Sequence, residues 1–103
     1  MLTAGVHGNE LSPQIAALDV AQKLVDQNIE GTVYLIPFAI PFATMKSSRR
    51  FKGFDMNRTA FKEGTLSNDI IKVAKDLNLD SLADFHATKP YLPGKFHHCG
   101  AYK

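Results

Sequence analysis

A histidine and a glutamate three residues apart, in His7-Gly8-Asn9-Glu10, can aim a ring nitrogen and a carboxylate at one ion from a single turn. Gly8 removes the side chain that would crowd the approach. A surface hydrogen bond between His7 and Glu10 is the plainer alternative, and the pair alone does not decide. His86 closes the run Ser81-Leu82-Ala83-Asp84-Phe85-His86, which reads as a strand. Ligand sites on open α/β sheets lie at the carboxyl ends of strands, so His7 and His86 should emerge on the same rim. Two histidines and one glutamate, with a fourth position left to water, form a known catalytic zinc set. The alternative for His86 is a strand-end ring bonded to a loop carbonyl.

A further block, Asp55-Met56-Asn57-Arg58, has Arg50 upstream in the same segment. A guanidinium suits a carboxylate because it offers two parallel hydrogen bonds, and an asparagine beside it adds amide donors. An exposed loop with an ordinary salt bridge is the competing reading. The tail Phe96-His97-His98-Cys99 has metal-ligating residue types, but a short cluster of this kind is read as having no specific role.

These residues need elements to hold them. Met1-Leu2-Thr3-Ala4-Gly5-Val6 reads as the end of a buried strand leading into His7. A helix is expected over residues 11–28, with Ile15, Leu18, Val20, Ala21, Leu24 and Val25 as its inward stripe. Ser12-Pro13 would start it and Glu30-Gly31 would close it. The apolar run over residues 32–37 is a strand covered on both faces. Residues 38–62 mix proline, glycine, aromatic and basic side chains, the pattern of a long functional loop. A second helix over 67–78 turns Ile70, Ile71, Val73, Ala74 and Leu77 inward, with Ser67, Asn68 or Asp69 as N-cap. The third strand covers 81–86. Strands separated by helices pair in parallel, so the expected fold is α/β, a three-layer sandwich around a mostly parallel sheet.

Composition narrows the function classes. The 103 residues form at most one domain, taken as 1–103, with 45% hydrophobic and 21% charged residues. Twelve basic and ten acidic residues give a formal charge of +2, too mild for a nucleic-acid partner. The only basic cluster, Lys46, Arg49, Arg50 and Lys52, lies inside the candidate site loop. No stretch approaches the roughly 20 apolar residues of a membrane span, so no membrane partner is expected. A single cysteine, Cys99, and the absence of a signal-peptide pattern make the cytoplasm the default location.

Taken together, His7-Gly8-Asn9-Glu10, Asp55-Met56-Asn57-Arg58 and Asp84-Phe85-His86 resemble the succinylglutamate desuccinylase and aspartoacylase family, which belongs with the zinc carboxypeptidases. The three blocks stand in the family's order and span essentially the whole chain. The resemblance implies one zinc ion held by His7, Glu10 and His86, in a zinc-carboxypeptidase-like fold. It implies that Asn57 and Arg58 grip the carboxylate of a small acidic N-acyl amino acid. Arg50 would polarise the scissile carbonyl, with the adjacent Arg49 as the alternative for that role. Asp55 would accept a hydrogen bond from the far nitrogen of His7. The implied reaction is hydrolysis of the N-acyl amide bond by a water that the metal activates.

The resemblance also implies a general base, a glutamate downstream of the third zinc ligand. No acidic residue follows Asp84, and Glu63 and Asp84 do not match the family position. The expectation is therefore the N-terminal, metal-binding part of a catalytic domain, or a shortened relative, whose own activity is in doubt. Two rival functions follow: a non-catalytic zinc-binding or oligomerising module, and a zinc carboxypeptidase acting on peptides. Phe38, Phe42, Phe51, Phe54 and Phe61 are read as core and loop-packing residues. Uncovered sheet edges make a homo-oligomer an expectation.

Overall fold

Three short strands, Leu2–Ala4 (β1), Leu35–Ile36 (β2) and Ala83–Phe85 (β3), form one sheet in the order β2-β1-β3. Both pairings are parallel, with Leu2 opposite Leu35 and Thr3 opposite Asp84. The structure, a computed structural model, describes residues 1–88. The sheet is narrow because its ladders stop early. Leu2 N–H still donates to Tyr34 O at 2.8 Å, but Pro37, which has no N–H, ends β2. The expected strands over 32–37 and 81–86 thus shrink to their centres, and His86 stands one residue beyond β3.

The first helix, Leu11–Val25 (α1), packs against β1 and β2. It ends at Asp26, where Asp-Gln-Asn replaces good helix formers, rather than at residue 28. Its inward face matches the expected one in part, since Val20, Ala21 and Leu24 are half-buried. Pro13, Gln14 and Ala17 are buried, whereas Ile15 is 65% and Val25 78% exposed, and Leu18 is exposed too. The helix carries two apolar stripes at the same three-and-four spacing, and only one of them faces the sheet.

The segment 38–62 is more ordered than a loop. It holds a short helix, Pro41–Met45 (α2), started by the proline, and a 3-10 turn, Met56–Arg58. A second long helix, Leu66–Asp76 (α3), is capped by Thr65, whose hydroxyl accepts from Asn68 N–H at 3.2 Å. Thr65, not the expected Ser67, Asn68 or Asp69, is the cap, and Ser67 is buried within the first turn. α3 packs on the 3-10 turn, where Ser67 Oγ donates to Met56 Sδ at 3.7 Å; Ile70, Ile71 and Ala74 are half-buried, and Val73 and Leu77 are exposed.

The buried cluster consists of Val6, Ile40, Ala43 and Met56, with Ala39 and Phe51 packed against it. It lies beneath the turn that carries His7, between α2 and the 3-10 turn. Of the five phenylalanines expected to pack in the core or the loop, Phe51 alone joins this cluster, and Phe42 stacks on it with ring centroids 6.1 Å apart. Phe38, Phe42, Phe54 and Phe61 are exposed, Phe61 by 86%. The result is a small α/β fold with a parallel three-stranded sheet, whose best-packed region supports one corner of the sheet's carboxyl rim.

Candidate metal centre

β1 delivers His7 to that rim through a fixed bend. Gly5 adopts φ +80°, a conformation open to glycine, and its prospective Cβ would lie 3.1 Å from Pro37 O and Phe38 Cα. The bend is pinned by Ala39 N–H donating to Ala4 O at 2.8 Å and Ile40 N–H donating to Gly5 O at 3.2 Å. His7 follows, only 3% exposed.

His7, Glu10 and His86 converge. His7 Nδ1 lies 2.5 Å from Glu10 Oε2, and His86 Nδ1 lies 3.2 Å from Glu10 Oε1. The two rings meet edge to face with centroids 5.0 Å apart. One donor atom from each of the three residues lies within 4.8 Å of the others. Ala87 N–H also donates to Glu10 Oε1, at 2.8 Å, and fixes the carboxylate.

The far nitrogen of each ring is held as well. His7 Nε2 lies 2.7 Å from Asp55 Oδ1, and His86 Nε2 lies 2.8 Å from Asp84 Oδ2. A carboxylate only accepts, and each ring has one at both nitrogens; with the hydrogen on Nε2, each Nδ1 presents a lone pair. Those lone pairs point at Glu10, which is also an acceptor. Three acceptors facing one another require a positive charge between them, supplied by a proton or by a cation. The hydrogen bond to Asp84 raises the His86 pKa above its ordinary value against the opposing effect of burial, with the Asp84 and Glu10 charges adding to it. Burial pushes Asp55 up, but hydrogen bonds from His7 and Asn57 N–H and the His7 and Arg49 charges bring it below the usual carboxylate value. Two imidazole nitrogens, a carboxylate and a carboxylate behind each ring suit zinc in donor type and in outer support.

The remaining expected site residues surround this set. Asn57 and Arg58 lie on the 3-10 turn that starts at Asp55, and Asn57 N–H donates to Asp55 Oδ1 at 3.0 Å. The Asp55 carboxylate thus holds both His7 and the start of that turn. Arg50 turns its guanidinium to Gly53 O, at 3.3 Å. Arg49 reaches the metal set, 3.4 Å from Glu10 Oε2 and 3.4 Å from Asp55 Oδ2. Glu63 is 90% exposed and pairs with Lys72 at 3.7 Å, apart from the three ligands. The His97-His98-Cys99 cluster lies outside the described residues.

Asp84 was read as part of a motif and weighed as a base, but its contact with His86 was missed, although a signal was available. Residues two apart on a strand share a face, so Asp84 and His86 were placed to meet. Thr3 belongs with them: it is the register partner of Asp84, and its hydroxyl donates to Asp84 Oδ1 at 2.7 Å. That contact depends on which strands pair, which no local pattern states.

Among the described residues, no helix is long and apolar enough to cross a membrane. No curated protein and no solved structure gives a significant match to the chain. The profile of the succinylglutamate desuccinylase/aspartoacylase catalytic domain, however, matches residues 1–90. With His7, Glu10 and His86 brought together at one rim of a parallel sheet, the chain belongs to the succinylglutamate desuccinylase/aspartoacylase family.

Proposed function

We propose that this chain provides the zinc site of a hydrolase that cleaves the amide bond of a small acidic N-acyl amino acid. The observation that carries the reading is the convergence of His7 Nδ1, His86 Nδ1 and the Glu10 carboxylate, each ring backed by an aspartate. Family membership supports hydrolase chemistry in general; the zinc and the acidic substrate are our finer reading.

When bound, the ion would supply Lewis acidity, lowering the pKa of a water and polarising a carbonyl oxygen. His7, Glu10 and His86 would hold it. Asp55 and Asp84 would keep both rings in the tautomer that presents Nδ1. Asn57 and Arg58, on the turn beside Asp55, would receive the substrate carboxylate. An arginine of the Arg49-Arg50 pair would stabilise negative charge on the carbonyl oxygen. Arg49 already contacts the ligand shell, which favours it over Arg50. We also read the sheet and helices as part of a three-layer, zinc-carboxypeptidase-like sandwich acting in the cytoplasm.

The test is binding of N-acetylaspartate and N-succinylglutamate to the zinc-loaded protein by calorimetry, compared with peptides bearing a free C-terminus. Binding of the small acidic amides is expected, and exclusive binding of peptides would reject the substrate class. Arg58→Ala should keep zinc and raise the Kd for these amides about 10-fold or more, since a hydrogen bond to a charged group contributes about 1.5–3 kcal/mol. Loss of zinc from Arg58→Ala would place that residue in the metal shell instead.

A further inference from the structure

Gln14 is a polar residue where the spacing of α1 calls for an apolar one. It is 2% exposed, flanked on the buried face by Pro13 and Ala17. A buried amide is costly unless its hydrogen bonds are made. Here both ends are used. Gln14 Nε2 donates to Glu10 O at 2.8 Å and to Gly8 O at 3.3 Å. Gln14 Oε1 accepts from Thr44 Oγ1 at 2.7 Å.

Both carbonyls belong to the turn that presents His7 and Glu10, and Thr44 belongs to α2. The same turn is pressed onto α2 at Gly8, where an added Cβ would fall 2.1 Å from the Ala43 carbonyl carbon. Gly8 N–H donates to Ser48 O at 2.8 Å, and Ser48 N–H donates to Ala43 O at 2.8 Å. The metal-binding turn, α2 and the segment leading to Arg49 therefore form one hydrogen-bonded unit, with the Gln14 amide at its buried centre.

We propose that Gln14, through Thr44, is a positioning residue of the metal centre: it fixes the backbone from which Glu10 and His7 reach the ion. The proposal rests on the zinc reading above. An apolar side chain of similar size could fill the space but would leave the Gly8 and Glu10 carbonyls and the Thr44 hydroxyl without this partner. The turn would then be free to rotate Glu10 away from the two Nδ1 atoms.

The test compares zinc dissociation constants, by competition with a chromophoric chelator, for the wild-type chain, Gln14→Leu, Thr44→Val and Thr44→Ser. The visible spectrum of the cobalt-loaded forms and the Tm of the metal-free forms are recorded alongside. Gln14→Leu should weaken zinc on the order of 10-fold and alter the cobalt spectrum, as losses of outer support do. Thr44→Val should move both readouts in the same direction, and Thr44→Ser, which keeps the hydroxyl, should restore them. Wild-type affinity and spectrum in Gln14→Leu, even with a lowered Tm, would overturn the proposal and leave a packing role. If Gln14→Leu does not fold, wild-type affinity in Thr44→Val overturns it equally. A wild-type chain that binds no zinc would overturn the metal reading itself, a result distinct from equal affinities among variants.

Discussion

At the scale of single residues, the metal centre is a problem of acceptors. Glu10 faces Nδ1 of both imidazoles while Asp55 and Asp84 face the opposite ring nitrogens, so each ring stands between two carboxylates. His7→Ala, Glu10→Ala and His86→Ala should each weaken zinc at least ~100-fold, because a zinc set contributes about 10–16 kcal/mol spread over its few ligands. Full affinity in any one variant, measured by chelator competition, would remove that residue from the set. In the metal-free protein a proton takes the ion's place, so His86 links stability to pH. Its pKa is raised by Asp84, so its stabilisation is complete below the unfolded value of 6.5 and is lost as pH rises through the higher folded value. Urea midpoints of the metal-free chain should fall across that window, and Asp84→Asn should flatten the dependence. A profile unchanged by Asp84→Asn would mean that Asp84 does not set the His86 pKa. The ligand types were legible in the sequence, since few residue types bind zinc. The partners behind them were less so. Asp84 could be found from strand alternation, but Thr3 could not, because its contact is fixed by sheet register.

At the scale of elements, the site depends on close approach between a turn and a short helix. The sequence reading put a long loop where α2 and the 3-10 turn stand, because five- and three-residue elements are too short to show a period. Gly8 was expected to clear the approach to the ion; instead it makes room for α2, where Ala43 backbone atoms fill the site of a Cβ. Gly8→Ala should therefore cost about 1–3 kcal/mol or more, as overpacking does, and should weaken zinc together with Tm. An alanine variant with wild-type Tm and wild-type zinc affinity would show that the approach of turn and helix is looser than described. The stripe on α1 was misassigned at Ile15, Leu18 and Val25 for a similar reason, though Val20, Ala21 and Leu24 are half-buried as expected. Residues 11, 15, 18 and 25 and residues 13, 17, 20 and 24 both follow helical spacing, and only the sheet decides between them.

At the scale of the whole molecule, apolar surface is plentiful and the core is small. Leu11, Ile15, Leu18 and Val25 run along the outer side of α1, and Phe42, Met45 and Phe61 are exposed elsewhere. Apolar patches of this kind promote association. Ile15→Lys combined with Leu18→Lys should raise solubility several-fold and shift sedimentation toward the monomer, while leaving zinc affinity unchanged. A zinc affinity that fell with these substitutions would tie the outer face of α1 to the metal site. The α/β class and the parallel sheet were legible from the alternation of strands and helices. The extent of burial was not, because apolar content counts residues without saying which faces meet. The central claim is that His7, Glu10 and His86 hold one zinc ion. It is tested most directly by elemental analysis of protein purified without a histidine tag, before and after incubation with zinc and gel filtration. About one zinc per chain, lost in Glu10→Ala, is the expected result. A wild-type chain that retains no zinc after that incubation would contradict the claim.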